Sequence, residues 1–115
     1  MSLDPAFLNP VACEKEILRF VGLLEHATQE TARRGRTAAE AEVAHRVAYA
    51  RAIIQAGGTV VEREALATIA TEAELLARRV AEASLDASRD ASRNMREQLG
   101  ALRTVAANLR ELVTA

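Results

Sequence analysis

The sequence Gly57-Gly-Thr-Val-Val-Glu62 divides the chain into two long segments with helical patterns. Two consecutive glycines readily end a helix, because glycine takes conformations with positive φ at little cost. Thr59 and Glu62 then have the spacing of a capping box, in which each side chain bonds the other residue's N–H. Helices joined by so short a link become antiparallel neighbours. We therefore predict that the residues before this turn pack on the residues after it.

The composition favours helices and excludes a thick core. Of the 115 residues, 25 are alanine and 3% are aromatic, so thin helix–helix seams suit the chain better than a large apolar interior. Both prolines lie within the first ten residues, and no alternating apolar run predicts a strand. The net charge of −1 gives no overall attraction to nucleic acid or membranes. The single cysteine, Cys13, fits a reducing compartment and is expected to be a small buried thiol.

The segment before the turn is predicted to be one helix of about residues 10–56, preceded by a flexible arm of residues 1–9. Asn9-Pro10 has the pattern of an N-cap and first helical position. Gly35, and a second capping box formed by Thr37 and Glu40, make a kink at 34–37 an open alternative. An apolar stripe continues beyond this point, formed by Val43, Val47, Ala50 and Ile54.

After the turn at 57–59, the pattern predicts one helix of about residues 60–113. Its apolar positions fall into two registers, which predict a stutter or a bend at the tandem repeat Asp86-Ala-Ser-Arg89 and Asp90-Ala-Ser-Arg93. The first register comprises Leu66, Ile69, Ala73, Leu76, Val80, Ala83 and Ala87. The second comprises Leu85, Ser88, Ser92, Met95, Leu99, Leu102, Ala106, Leu109 and Val113.

The end of this helix extends beyond what the first segment is expected to cover. The tail from about Leu102 onward then has no partner within its own chain, and self-association is the simplest way to bury its apolar side chains. The fold prediction is therefore all-α: an antiparallel helical hairpin, 10–115, with a long C-terminal helix and oligomeric coiled-coil-like packing. The residues predicted to form the oligomer interface are Leu99, Leu102, Leu109, Leu112 and Val113.

No catalytic, metal or cofactor site is predicted. Ser84, Ser88 and Ser92 share a helix, but neither histidine is near them in sequence. His45 has Glu42 one turn away without further ligands, so metal binding there is improbable. Gly57-Gly58 lacks the residues of a phosphate-binding loop, and no run of residues is apolar enough to cross a membrane. We expect a cytoplasmic, non-enzymatic protein without a cofactor.

Arginine supplies 14 of the 15 basic residues. Residues 31–39 contain no acid, and guanidinium groups match the geometry of phosphate. Repeated around an oligomer, such a cluster would form a basic track for nucleic acid, although Tyr49 alone could offer a base-stacking platform. The alternative is a solvated face with ion pairs between subunits, which the residues by themselves favour. The candidate arginines are Arg33, Arg34, Arg36, Arg46 and Arg51.

Residues 30–112 also carry a family resemblance. The pattern is Ala41-Glu-Val-Ala-His-Arg-Val-Ala-Tyr-Ala-Arg51, Ile53-Ile54, the glycine turn, Thr59-x-x-x-Arg63-Glu64-Ala65, and a long helix ending with Leu99-x-x-Leu102-Arg103. It resembles the small helical phage proteins of the UvsY type, recombination mediators that bind single-stranded DNA and assist loading of a recombinase. The resemblance implies DNA contacts at Arg46 and Arg51 and homo-oligomeric rings built through the C-terminal helix.

Three functions follow as hypotheses. The first is a phage or prophage recombination mediator that binds single-stranded DNA as a homo-oligomer, with a recombinase as a possible further partner. The second is a structural or adaptor coiled-coil protein, for virion assembly or scaffolding, that binds no nucleic acid. The third, a small secreted helical-hairpin effector, is disfavoured because the chain lacks a Trp-x-Gly turn.

Overall fold

A computed structural model describes residues 9–114, with side chains described through residue 112. It contains α1 (Pro10–Gln55), α2 (Val60–Ala70) and α3 (Glu72–Thr114), and no strand occurs in this part of the chain. The predicted all-α fold with a helical hairpin is therefore confirmed. Of the predicted N-terminal arm, all but Asn9 lies outside the described residues.

The predicted helix starts and the glycine turn are present. The Asn9 side chain accepts a hydrogen bond from the Val11 N–H at 2.9 Å, as expected of an N-cap. Thr59 caps α2 by accepting from the Glu62 N–H at 3.3 Å. Gly58 has φ 103°, and a Cβ at this position would collide with the Glu62 carboxylate. The positive φ thus favours glycine at position 58, and an added Cβ would also displace the Glu62 side chain.

α1 continues without interruption through residues 34–37. The Thr37 hydroxyl donates to the Arg33 carbonyl at 3.2 Å, so it bonds back along the helix and does not cap a new one. The capping box predicted for Thr37 and Glu40 is therefore wrong, whereas the prediction of one long first helix holds. Gly35 faces α3 here, where a Cβ would lie 3.8 Å from the Leu85 side chain.

The prediction of one helix over 60–113 is wrong at Thr71, which separates α2 from α3. Thr71 has φ −113° and ψ 22°, outside the helical region, although its N–H still bonds the Ala67 carbonyl at 3.1 Å. Its buried hydroxyl donates to the same carbonyl at 2.7 Å. The same hydroxyl bond is made by Thr37 within uninterrupted α1, so it accompanies the break at Thr71 without by itself causing it.

Two compact units divide the chain. Unit 1 combines Met1–Glu30 with Arg89–Ala115, of which the structure describes 9–30 and 89–114. Unit 2 is Thr31–Ser88 and includes the turn. Each unit pairs a part of α1 with an antiparallel part of the chain that follows the turn, as Cys13 with Leu102 in unit 1 and Thr31 with Ser88 in unit 2 show.

One set of buried and half-buried positions runs along α2 and α3 at three- and four-residue spacing without a stutter, and other half-buried positions adjoin it. The predicted register change at the tandem repeat is therefore wrong, because the second register extends backward through Ala81 to Ala67. We call these residues the inner seam: Ala67, Thr71, Glu74, Arg78, Ala81, Leu85, Ser88, Ser92, Met95, Leu99, Leu102, Ala106 and Leu109.

Unit 1 contains an apolar core that covers the tail. Leu102 is 3% exposed and Cys13 is fully buried, and the Cys13 thiol lies 3.7 Å from the Leu102 carbonyl. Ala106 completes the buried cluster, and the half-buried side chains packed against it are Ile17, Phe20 and Val105. Cys13 is thus the buried thiol that the sequence predicts. The expectation that the tail from Leu102 has no partner in its own chain is wrong, because the first turns of α1 cover it.

Unit 2 has the opposite distribution of side chains. Mostly small and polar residues form its inner seam, while most of its large aliphatic side chains lie on the outside. Ile54 is 80% exposed, Ile69 72% and Leu76 65%.

We name two exposed apolar surfaces of this unit. The α1 outer stripe comprises Val43, Val47, Ala50 and Ile54. The α2–α3 outer stripe comprises Leu66, Ile69, Ala73, Leu76 and Val80.

Candidate nucleic-acid interface

The five candidate arginines all lie on α1 in unit 2, but they do not share one face. Arg34 is half-buried and donates from Nη1 to the Ser84 carbonyl at 3.2 Å. It therefore links α1 to α3 and is turned away from solvent. The other four arginines are exposed.

Arg46 is neutralised within its own helix. Its Nη2 lies 2.9 Å from the Glu42 carboxylate, which is also 3.7 Å from Nη2 of Arg78 on α3. The Arg46 side chain is 71% exposed, and an exposed pair of this kind contributes at most about 1 kcal/mol, so phosphate could compete for the guanidinium. The carboxylate nevertheless reduces the positive potential at this position.

Arg33, Arg36 and Arg51 extend toward the side of α1 that faces away from α3. Arg33 and Arg51 are five helical turns apart and share one direction, and Arg36 is rotated from it by about 60°. Exposed Glu40 lies between Arg36 and Arg51 along α1. The positive charge is therefore uninterrupted from Arg33 to Arg36 and is interrupted before Arg51. Residues 31–39, which contain no acid, are thus the part of α1 in unit 2 that is most favourable for binding phosphate.

The predicted base-stacking platform is poorly placed. Tyr49 is half-buried, and its ring is tilted by 55° against His45 with the centroids 6.3 Å apart. The His45 Nδ1 atom lies 3.2 Å from Nη1 of Arg78, and because a guanidinium can only donate, this nitrogen acts as the acceptor. Both rings thus belong to the packing of unit 2.

Arg78 is the main polar link within unit 2. In addition to Glu42 and His45, it bonds Glu82, with Nε 2.9 Å from the carboxylate. This hydrogen bond lowers the pKa of Glu82; desolvation opposes the shift, and Arg79, 3.2 Å away, adds to it. In unit 1 a hydrogen bond from Arg19 similarly lowers the pKa of Glu16.

The residues predicted for the oligomer interface differ in exposure. Leu99 and Leu102 are 5% and 3% exposed within the chain, so they are not available on its surface. Leu109 is half-buried, Leu112 is 75% exposed, and the side chain of Val113 lies outside the described residues. Of this set, Leu112 is the large side chain that is exposed to solvent in the described part of unit 1.

Two features escaped the sequence analysis. The first is the outward orientation of the two outer stripes. Their residues were identified in the sequence, but their apolar spacing is the same as that of an inner seam. The second is an open groove in unit 1, lined by Val21, Leu24, Thr28 and Leu99 and edged by Glu25, Arg96 and Arg103. Elsewhere in unit 1, Arg110 on α3 lies 3.8 Å from Glu14 on α1.

Among the described residues, no group of three or more histidine, cysteine or acidic side chains is arranged to hold a metal ion. None of the helices described combines the length and apolar character that crossing a bilayer requires.

Comparison of the chain with protein-family models, with curated proteins and with solved structures finds no match. The resemblance to the UvsY-type mediators therefore stays a prediction from the sequence pattern.

Proposed function

We propose that the chain is a non-enzymatic, cytoplasmic protein that binds single-stranded DNA as a homo-oligomer and acts as a recombination mediator. The observation that carries the proposal is the exposed, acid-free segment of α1 that contains Arg33 and Arg36. Arg51 extends the same side of the helix by about 22 Å beyond Arg36, at 1.5 Å per residue. The family resemblance over residues 30–112 supports the assignment to recombination and a recombinase as the further partner.

The proposed contact is electrostatic. Two or three arginines per chain make few phosphate contacts, so a single copy binds weakly, and several copies on one strand add their contacts. Binding without base-edge contacts depends little on sequence and strongly on salt. These properties suit a protein that assists the loading of another protein onto DNA.

The test is a fluorescence anisotropy titration of a labelled single-stranded oligonucleotide at two salt concentrations. We expect binding near about 50 mM salt that weakens steeply as salt rises. The double variant Arg33→Gln/Arg36→Gln should reduce the salt slope by about 1.4, since each phosphate-binding cation contributes about 0.7 on a single strand.

The matched control is Arg19→Gln/Arg93→Gln. It removes the same charge from exposed arginines that pair with Glu16 and Asp90 of their own helices. It should leave the salt slope unchanged. Absence of binding near about 50 mM salt, or an equal effect of both double variants, would contradict the proposal.

A structural or adaptor role is the second candidate, because arginines of this set already make protein contacts. Arg34 on α1 bonds the Ser84 carbonyl on α3, which joins the helices of unit 2 without DNA, and Arg46 bonds Glu42 of its own helix. An assembly that forms fully without DNA, and does not bind the oligonucleotide at low salt, would favour this candidate.

A further inference from the structure

The inner seam of unit 2 buries little apolar surface for the length of helix it joins. The buried residues of the unit are Ala38, Ala67, Thr71, Ala81 and Ser88, and Ile53, Leu75 and Leu85 are half-buried large aliphatic residues. The small residues allow close approach of the helices, and Arg78 and the Thr31–Ser88 hydroxyl pair at 2.6 Å add polar links. Most of the large aliphatic side chains of the unit are exposed.

The two outer stripes are continuous and face away from each other. Val43, Val47 and Ile54 are turned by about 140° to 180° around α1 from buried Ala38, at 100° per residue. In the α2–α3 outer stripe, Leu76 is turned by about 140° from buried Ala81. Both stripes have the alternating three- and four-residue spacing of a coiled-coil seam, and each spans about 15 to 20 Å of helix.

We propose that the α1 outer stripe of one copy binds the α2–α3 outer stripe of a second copy. Each copy has both surfaces, on opposite sides, so association is head to tail and continues until a ring closes or a filament forms. The occupant of each stripe is thus a second copy of this chain, and the interface lies in unit 2 and not at the tail.

Charge complementarity selects this pairing. Along the α1 outer stripe, from Val43 to Ile54, the exposed charged side chains are two arginines, whereas along residues 62–80 three exposed acids outnumber two exposed arginines. Exposed Arg46 and Arg51 flank the α1 outer stripe on its two sides, and exposed Glu62 and Glu72 adjoin the other stripe. Two copies that met through the same outer stripe would bring like charges together. When the α1 outer stripe of one copy meets the α2–α3 outer stripe of another, the charges form ion pairs of the kind that flank coiled-coil seams.

An open groove at the start of the α1 outer stripe is consistent with the proposed contact between copies. It is lined by Ala39, Glu40, Val43 and Ala44, and the two alanines leave room for a large residue of a neighbouring helix. Arg33 and Arg36 precede this groove in the sequence, whereas Arg51 flanks the proposed interface and is shared with the proposed DNA contact. The inference concerns subunit contacts alone, and it is tested without DNA.

The experiment uses two variants of the full-length chain, each with a carboxylate in place of one apolar side chain of a stripe: Val47→Glu and Leu76→Glu. Both positions are exposed, 43% and 65%, so the single chain should fold, which far-ultraviolet circular dichroism checks. We expect sedimentation velocity to show species larger than a dimer for the wild type and monomers for each variant alone. An equimolar mixture should yield dimers, because each variant supplies the stripe that the other lacks.

The control is Leu112→Glu, which places the same charge on the exposed side chain of the tail, 75% exposed. It should assemble like the wild type. A monomeric wild type, a mixture that remains monomeric, or an assembly lost in Leu112→Glu and retained in the two stripe variants would each overturn the proposal. The last of these would place the interface at the tail.

Discussion

Replacing Leu102 with alanine distinguishes a tail packed on its own chain from a tail that binds another copy. Leu102 is 3% exposed and lies against Cys13 and Ala106, with Ile17 and Phe20 beside them. Leucine-to-alanine changes in protein cores cost about 2 to 5 kcal/mol, depending on how far the site collapses. The surrounding side chains are half-buried and can relax, so we expect a loss of about 2 to 3 kcal/mol in the free energy of unfolding.

The assay is urea unfolding followed by circular dichroism at several protein concentrations. Leu112→Ala is the matched control, because that leucine is 75% exposed and its truncation should change the unfolding free energy by less than about 0.5 kcal/mol. The difference between the Leu102→Ala and wild-type free energies should not vary with protein concentration, because the lost contacts lie within one chain.

Two results would refute this reasoning. If Leu102→Ala were as stable as Leu112→Ala, the core of unit 1 would not form as described. If the Leu102→Ala difference appeared only at concentrations where the protein associates, Leu102 would act in the oligomer interface, as the sequence predicted, and not in the core of its own chain.

Three further predictions concern single residues. Gly58→Ala should destabilise the protein by at least about 1 kcal/mol in urea unfolding, whereas Gly57→Ala, where nothing lies within 4 Å of an added Cβ, should be tolerated. Because Arg78 lowers the pKa of Glu82 below 4.5, the stability lost in Glu82→Gln should be constant near neutral pH. That difference should shrink as the pH falls below 4.5 and Glu82 becomes protonated in the wild type; a difference that persists at low pH would contradict it. Glu74 has a buried carboxylate oxygen without a hydrogen-bond partner among the described residues. Because burying such an oxygen costs free energy, Glu74→Leu should raise the midpoint of thermal unfolding. A lower midpoint would show that the carboxylate is needed.

The sequence predicts the turn and the helix starts well because they depend on local chemistry. Gly58 needs a positive φ, Thr59 caps the next helix, and Asn9 caps the first. The second register was also predicted correctly from Ser88 to Leu109, where apolar and small residues coincide with the inner seam.

The remaining errors arise because apolar spacing does not show which helix a stripe faces. Leu66, Ile69 and Leu76 have the spacing of a seam, but residues such as Ala67 and Ala81 form the actual one because they allow the helices to approach closely. Thr71 was missed because threonine is common within helices, and its hydroxyl bond to the preceding turn is a property of the folded chain.

The candidate arginines illustrate a related limit. Their clustering on α1 is evident in the sequence, but the burial of Arg34 against Ser84 depends on the position of α3. The pair between Arg46 and Glu42, by contrast, follows from their four-residue spacing. Sequence spacing can therefore identify partners on the same helix, whereas partners on another helix require the fold.

The central claim is that unit 2 exposes its large aliphatic side chains because other copies of the chain cover them. The most direct test is sedimentation equilibrium of the wild-type protein without DNA, from about 1 to 100 µM, the range in which micromolar association is visible. We predict an average mass that rises with concentration beyond twice the 12.4 kDa of one chain. A single species of 12.4 kDa over the whole range would contradict the claim.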